Sequence, residues 1–332
     1  MLRHAWPDYF GGGGVVGVAV FFALSGYLIT QVLDRDIAIG GRPRFGRFYL
    51  HRAFRLYPAL LLLVAVSAVV IIKITHQVPL QHVLIAVRNS LLYLTDLPPF
   101  FATDLPISHL WTLAIEEQFY LVWPVVLWLA YLVTRKLGRV AIVATILLTA
   151  LCVLSLILST KPSDIYMLVS TWASVIAFGG VGYFYRDRIR ALIGRASGGL
   201  AIAALVVLLA MTFYPDAKDH RLTYALGPTV IAVCAVLIIN WATTEGRDEV
   251  RAPAVKPLLW LGRISYGAYL WNLPMTEWWN RFRGSTTGWA EVMTIPLTIG
   301  AAVISWYTVE AVGRALRARV DTRWRKRQTL ES

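Results

Sequence analysis

The chain has 332 residues, of which 57% are hydrophobic and only 15% charged; it holds 13 tryptophans, its net charge is +13 and its mean hydropathy is +0.59. An ordinary soluble domain carries about 25% charged residues. The composition therefore excludes a soluble enzyme and points to a chain that lives in lipid.

Residues 1–14 have no apolar core and do not form a signal peptide. The four glycines at 11–14 follow no strand and precede no phosphate-binding pattern, so they read as a flexible turn. Apolar runs of spanning or near-spanning length follow at 15–33, 56–74, 110–134, 140–159, 165–184, 199–214, 225–241, 258–279 and 292–312, each bounded by proline, glycine or charge. Residues 80–95 form a weaker run, interrupted by Gln81, His82, Arg88 and Asn89, and read as an interfacial or re-entrant helix. The expected fold is an all-α polytopic integral membrane bundle of about nine transmembrane helices plus that one additional helix. Residues 1–313 form the transmembrane domain and 314–332 a basic cytoplasmic tail.

A positive charge of this size raises the question of nucleic acid, and its placement answers it. If residues 34–55 are cytoplasmic and the nine runs alternate from there, the inside segments 34–55, 135–139, 186–195, 247–263 and 314–327 hold 24 of the 32 Lys and Arg residues. Counting 80–95 as a full span would move two of those clusters outside, against the positive-inside rule. The tail is then a segment at anionic lipid, and no nucleic-acid partner is expected. Cys152 and Cys234 sit in mid-span apolar runs with no partner spacing, so neither a disulfide framework nor a metal site is expected.

The run His109 to Pro124, HLWTLAIEEQFYLVWP, places two adjacent glutamates, a histidine and a tyrosine at the mouth of an apolar helix. A carboxylate brought into hydrocarbon costs about 2.5–3.5 kcal/mol even on lenient insertion scales, which makes it a functional candidate. At helical spacing His109, Thr112, Glu116 and Tyr120 form one stripe while Glu117 points about 100° away. At most one of the two glutamates is then expected to face a given interior cavity.

Four further patches accompany this run: His4 followed by GGGGVVGVAVFFALSGYLIT with Ser25-Gly26-Tyr27, FYLHRAFRLYPALL with Arg52 and Arg55, ISYGAYLWNLP at 264–274, and SWYTVE at 305–310. In this order, from His4 to about Val312, the chain resembles the membrane-bound acyltransferase 3 family, which includes O-antigen and exopolysaccharide O-acetylases and macrolide O-acyltransferases. The resemblance implies an O-acyltransferase that takes an acyl group from cytoplasmic acyl-CoA, with acetyl-CoA the expected donor. The acceptor is a hydroxyl of a carbohydrate or glycosylated molecule, and the setting is a bacterial-type cytoplasmic (inner) membrane. No metal is expected. The family's catalytic histidine matches His4, and its arginines tied to acyl-CoA match Arg52 and Arg55. The family's first helix, which carries an arginine and precedes the histidine, has no counterpart before His4. Asn272 stands where many members have a histidine, and Val312 where a proline is usual.

Acyl transfer from a thioester to an alcohol needs a base, and histidine titrates near operating pH, so His4 is the expected base or the carrier of an acyl intermediate. The other candidates each have a structural alternative. Arg52 and Arg55 share a helical face and either grip phosphates as bidentate forks or only set topology. Glu116 orients a histidine or holds the acceptor, or else pairs with a bundle arginine. His109 takes part in chemistry or caps its helix. Ser25 contacts the acyl-CoA arm or packs in a glycine-containing span. A transporter or flippase of a lipid-linked glycan is the competing class; it would carry repeated halves with matching broken helices. An inactive, truncated homologue is the third reading.

Overall fold

The structure is a computed structural model describing residues 9–75, 78–97, 106–244, 252–283 and 292–330; for 74, 75, 323 and 325–330 only the backbone is described. His4 lies outside the described residues. Among them every regular element is a helix, as expected of a backbone that must satisfy its own hydrogen bonds in hydrocarbon. The elements are α1 (Gly13–Gly40), α2 (Phe45–Val70), α3 (Leu80–Leu91), α4 (Trp111–Val133), α5 (Leu137–Leu158), α6 (Val169–Phe184) and α7 (Arg186–Ile193), then α8 (Ser197–Thr212), α9 (Arg221–Ala225), α10 (Gly227–Thr243), α11 (Lys256–Arg283), α12 (Thr294–Tyr307) and α13 (Val309–Leu330).

Six helical stretches among the described residues are long and apolar enough to cross a membrane: Gly13–Gly40, Phe45–Lys73, Ser108–Val133, Leu137–Leu158, Arg186–Thr212 and Thr294–Thr322. α6 and α10 are apolar but shorter. α11 has 28 residues, yet it carries Arg263, Asn272 and Glu277, which dilute its hydropathy. The expected count of nine thus resolves into six full-length spans, two short apolar helices and one long, more polar helix. α3 has 12 residues, about 18 Å of helix, too short to span. The chain is an integral membrane protein. The 313/314 boundary falls inside α13, and Asp321 beyond it pairs with Arg47 at 3.1 Å, so the start of the basic tail is docked on α2.

α1 is the most enclosed of the six long stretches, and its sequence explains why. A methyl group at Gly26 would run into the Ile176 carbonyl, and one at Gly179 into the Ala23 carbonyl, so α1 and α6 approach backbone to backbone through this reciprocal glycine pair. Lipid is met instead by α5, which exposes Ile146, Leu147, Leu154 and Ile157, and by α8, which exposes Ile202, Val206 and Leu209.

Two hydrophobic cores result. The larger is built around α1, α4, α6 and α10, with Phe22, Ile115, Trp123, Trp172, Ile176 and Ile231 at its centre. The smaller joins α2 and α3 to the start of α4 and to α11, through Leu60, Leu63, Val83, Leu110, Leu113 and Leu270. α4 contributes to both, so any polar residue on its inward faces lies at the seam between them.

The ends of the bundle are electrostatically unlike. Asp34 of α1, Arg135, Lys136 and Arg139 of the α4–α5 junction, and Arg188 of α7 line one cavity, while Arg55, Arg263, Arg314 and Arg317 line another. The basic segments separated in sequence therefore meet at one end. At the other, Gly12 N–H donates to Thr212 O at 3.2 Å, Arg221 Nη1 donates to Leu156 O at 3.0 Å, and Lys218 lies 4.1 Å from the Tyr166 ring centre.

Candidate active site

Ser25 stands twelve residues along α1, about 18 Å from its start at 1.5 Å per residue, and is 8% exposed. Glu116 of α4 is 4% exposed and Tyr120, one turn on, 2%. The Ser25 and Tyr120 hydroxyls both donate to Glu116 Oε1 and also touch each other. From α2, across the seam, Arg52 reaches into the same cluster. Its Nη2 and Nε donate to Glu117, the latter at 3.1 Å, while Nη2 stays 3.8 Å from Glu116 and its Cζ lies 3.6 Å from the centre of the Tyr120 ring.

Both glutamates therefore converge on one guanidinium, contrary to the expectation that only one faces a given interior space. The reason is reach: helical spacing fixes the directions of Cβ atoms, but a guanidinium placed between two long carboxylate arms meets both. The two are not equivalent. Glu117 takes the directional hydrogen bonds of Arg52, and Glu116 is held chiefly by neutral hydroxyl donors. One arginine thus matches one carboxylate, leaving the other to the Ser25 and Tyr120 hydroxyls.

The upper part of the expected stripe forms a second cluster. His109 sits in a single 3-10 turn, Ser108–Leu110, leading into α4. Its Nε2 lies 3.1 Å from Leu270 O, and since a carbonyl only accepts, Nε2 is the donor of this contact. The Tyr269 hydroxyl donates to His109 O and pairs with the Thr112 hydroxyl, and its ring meets the imidazole edge-on at 5.2 Å. The stripe is thus divided between α11, which holds His109 and Thr112, and α1 with α2, which hold Glu116 and Tyr120.

Arg52 and Arg55 part company. Arg52 is turned inward and occupied by Glu117. Arg55 is exposed and lines a cavity of about 290 Å³ with Arg263, Arg314, Arg317 and Glu310. Glu310 is itself 6% exposed and accepts from Ser305 Oγ at 2.9 Å. A methyl group at Gly313 would strike the Phe54 carbonyl, so this glycine lets α13 lie directly on α2 and brings Arg314 and Arg317 to Arg55. The grouping of these arginines around Arg55 was not foreseen from sequence, although Glu310 in an apolar run was its visible signal. Gln118 is another residue the sequence reading passed over; its Nε2 donates to Tyr93 O at 2.9 Å and Asp96 Oδ1 at 2.8 Å, pinning the segment after α3 to α4. No group of three His, Cys, Asp or Glu among the described residues is placed to hold a metal ion.

With this geometry in place, comparison with known proteins decides the family. A family model described as "Acyltransferase domain" matches residues 3–310. The chain belongs to that family. Membership in an acyltransferase family decides against the transporter reading. Among relatives, the Bacillus subtilis protein YrhL is 27% identical over 334 residues, covering 93% of this chain and 51% of the relative. The peptidoglycan O-acetyltransferase OatA of Listeria monocytogenes is 29% identical over 291 residues, 82% of this chain and 46% of that protein. The O-acetyltransferase OatA of Staphylococcus aureus is 28% identical over 319 residues, 90% and 52%. The chain spans about half the length of these relatives. No solved structure matches it.

Proposed function

We propose that this acyltransferase moves an acetyl group from acetyl-CoA, taken at the basic end of the bundle, to a hydroxyl of a cell-wall glycan or related carbohydrate at the opposite end, in a bacterial inner membrane. The observation that carries the reading is Glu116: an enclosed carboxylate with two hydroxyl donors on one of its oxygens, whose neighbour Glu117 takes the hydrogen bonds of Arg52. A purely structural carboxylate would be expected to take that arginine for itself. The names of the relatives support O-acetylation and a peptidoglycan acceptor, and the gathering of arginines at one end supports a polyphosphate donor arriving there.

In the reaction the acceptor oxygen bonds to the thioester carbonyl carbon, the carbon–sulfur bond breaks, the coenzyme leaves as its thiol, and the hydroxyl proton passes to a base. His4 is that base in this proposal, or forms the acyl-imidazole that the acceptor then opens. His109 and Glu116 serve as the polar groups along the path. Arg55 offers the donor's phosphates its planar fork. Arg52 acts behind it by fixing Glu117, and Ser25 by orienting Glu116 toward the donor's acyl arm.

Membranes holding the full chain, given radiolabelled acetyl-CoA and a peptidoglycan fragment, test this reading. Label appearing as an alkali-labile ester on the fragment is expected. Label transfer from another acetyl donor, with none from acetyl-CoA, would overturn the donor assignment.

A further inference from the structure

A second cavity at the basic end, of about 750 Å³, is lined by none of the residues given a role in acyl transfer above. It lies where the turn after α1, the start of α2, the inner half of α4 and the docked part of α13 meet, and is lined by Arg42, Arg44, Arg47, Trp128, Asp321 and Trp324, with Phe45 among them. The rings form an ordered surface: Phe45 meets Trp128 edge-on at 5.8 Å, and Trp324 stacks on His51 at 6.1 Å. The cations are graded. Arg47 is tied to Asp321 at 3.1 Å and lies 6.0 Å from the centre of the Trp324 ring, and Arg44 is 3.7 Å from Asp36. Arg42 is exposed and has no ion-pair partner among the described residues.

A guanidinium fork that no carboxylate holds, that of Arg42, suits phosphate oxygens, and flat indole rings suit the face of a base. A lipid headgroup calls for the cations but leaves the tryptophans unexplained. The volume is within the range of sites that enclose a small ligand, about 300–1,000 Å³.

We propose that this cleft binds a phosphorylated purine nucleoside, the nucleotide end of the acyl donor, with the base against Trp128 or Trp324 and a phosphate on Arg42. The inference rests on the reading of a coenzyme-A donor. It gives that donor a direction: Arg47 and Arg55 are eight residues apart on α2, about 12 Å at 1.5 Å per residue, so a molecule anchored at the cleft runs along the α2–α13 seam toward Arg55.

The test uses the full chain in phosphatidylcholine nanodiscs, titrated with acetyl-CoA and with adenosine 3′,5′-bisphosphate in a calorimeter. Both should bind wild type. Trp128→Ala should weaken both by about 5- to 150-fold, the range carried by a lost base-stacking contact, and Trp128→Phe should restore most of it. Arg42→Ala, at an exposed position where folding is not at stake, should weaken the bisphosphate by about 10-fold, the scale of a charge-assisted contact. If Trp128→Ala and Arg42→Ala bind and use acetyl-CoA like wild type, the cleft is overturned while the donor reading stands. If wild type neither binds nor uses acetyl-CoA, the donor reading falls and the cleft with it. If the variants lose only a dependence on added phosphatidylglycerol, the cleft is a lipid headgroup site and the proposal fails.

Discussion

The guanidinium of Arg52 lies 3.6 Å from the centre of the Tyr120 ring, so a cation from α2 stacks on an aromatic face of α4 deep inside a membrane bundle. That contact, with the bonds to Glu117, joins the two hydrophobic cores across their seam. Arg52 is therefore a structural keystone before it is anything else. Removing one partner of a buried ion pair costs about 3–5 kcal/mol because the other charge is left uncompensated. Arg52→Ala should lower the melting temperature and membrane yield sharply, and Arg52→Ala with Glu117→Ala should recover part of the loss. Arg55→Ala should leave melting unchanged and raise the KM for acetyl-CoA. Equal behaviour of the two arginine variants would remove the distinction.

The α1–α6 contact sets where Ser25 stands. Gly26→Ala puts a methyl group into the Ile176 carbonyl, and overpacking of this kind costs about 1–3 kcal/mol. Because the helix must shift to relieve it, Ser25 moves away from Glu116, and acyl transfer should fall more steeply than stability. Gly17, where an added Cβ meets nothing within 4 Å, is the control: Gly17→Ala should leave both unchanged. Similar losses in the two variants would show that the close approach is not what matters.

The gross plan of the molecule was legible in the sequence because lipid imposes it: apolar runs bounded by charge become helices, and the interrupted run at 80–95 becomes the short α3. The span count was less legible, since Arg263, Asn272 and Glu277 dilute the hydropathy of α11 although it is 28 residues long. Within the site, the stripe of His109, Thr112, Glu116 and Tyr120 followed from helical spacing alone. The partners did not. That Arg52 turns inward to Glu117 while Arg55, three residues on, faces an open cavity depends on α4 lying on one side of α2 and α13 on the other, a tertiary fact with no trace in the spacing of two arginines.

Asp96 supplies a pH signature. It lies outside the spanning helices, is 1% exposed, and burial pushes its carboxyl from the ordinary 3.8 up to about 6. The folded state thus holds this proton more tightly than the unfolded chain does. Its stabilising contribution is complete below 3.8 and is lost as pH rises through about 6. Between pH 4 and pH 7 the melting temperature of wild type should fall relative to Asp96→Asn, which keeps an acceptor for Gln118 and cannot ionise. Parallel curves for the two proteins would exclude Asp96 as the titrating group.

Sidedness follows from the two unlike ends. Cys152 and Cys234 are buried, so introduced cysteines report with little background. In intact cells an impermeant maleimide should label Asp219→Cys and spare Lys136→Cys until the membrane is opened. The reverse pattern would invert the topology, and with it the direction of acyl transfer.

The central claim is that the adjacent carboxylates divide their duties, Glu117 neutralising Arg52 and Glu116 serving the chemistry. Glutamine at 116 can still accept from Ser25 and Tyr120 but carries no negative charge. Comparing kcat for acetyl transfer with melting temperature in Glu116→Gln and Glu117→Gln tests the division directly. The account predicts that Glu116→Gln melts near wild type and loses about 10²- to 10⁴-fold in kcat, the worth of the acid–base step whose path it lines, whereas Glu117→Gln loses stability first. A Glu116→Gln enzyme with wild-type kcat, or one that fails through unfolding while Glu117→Gln stays stable, would contradict it.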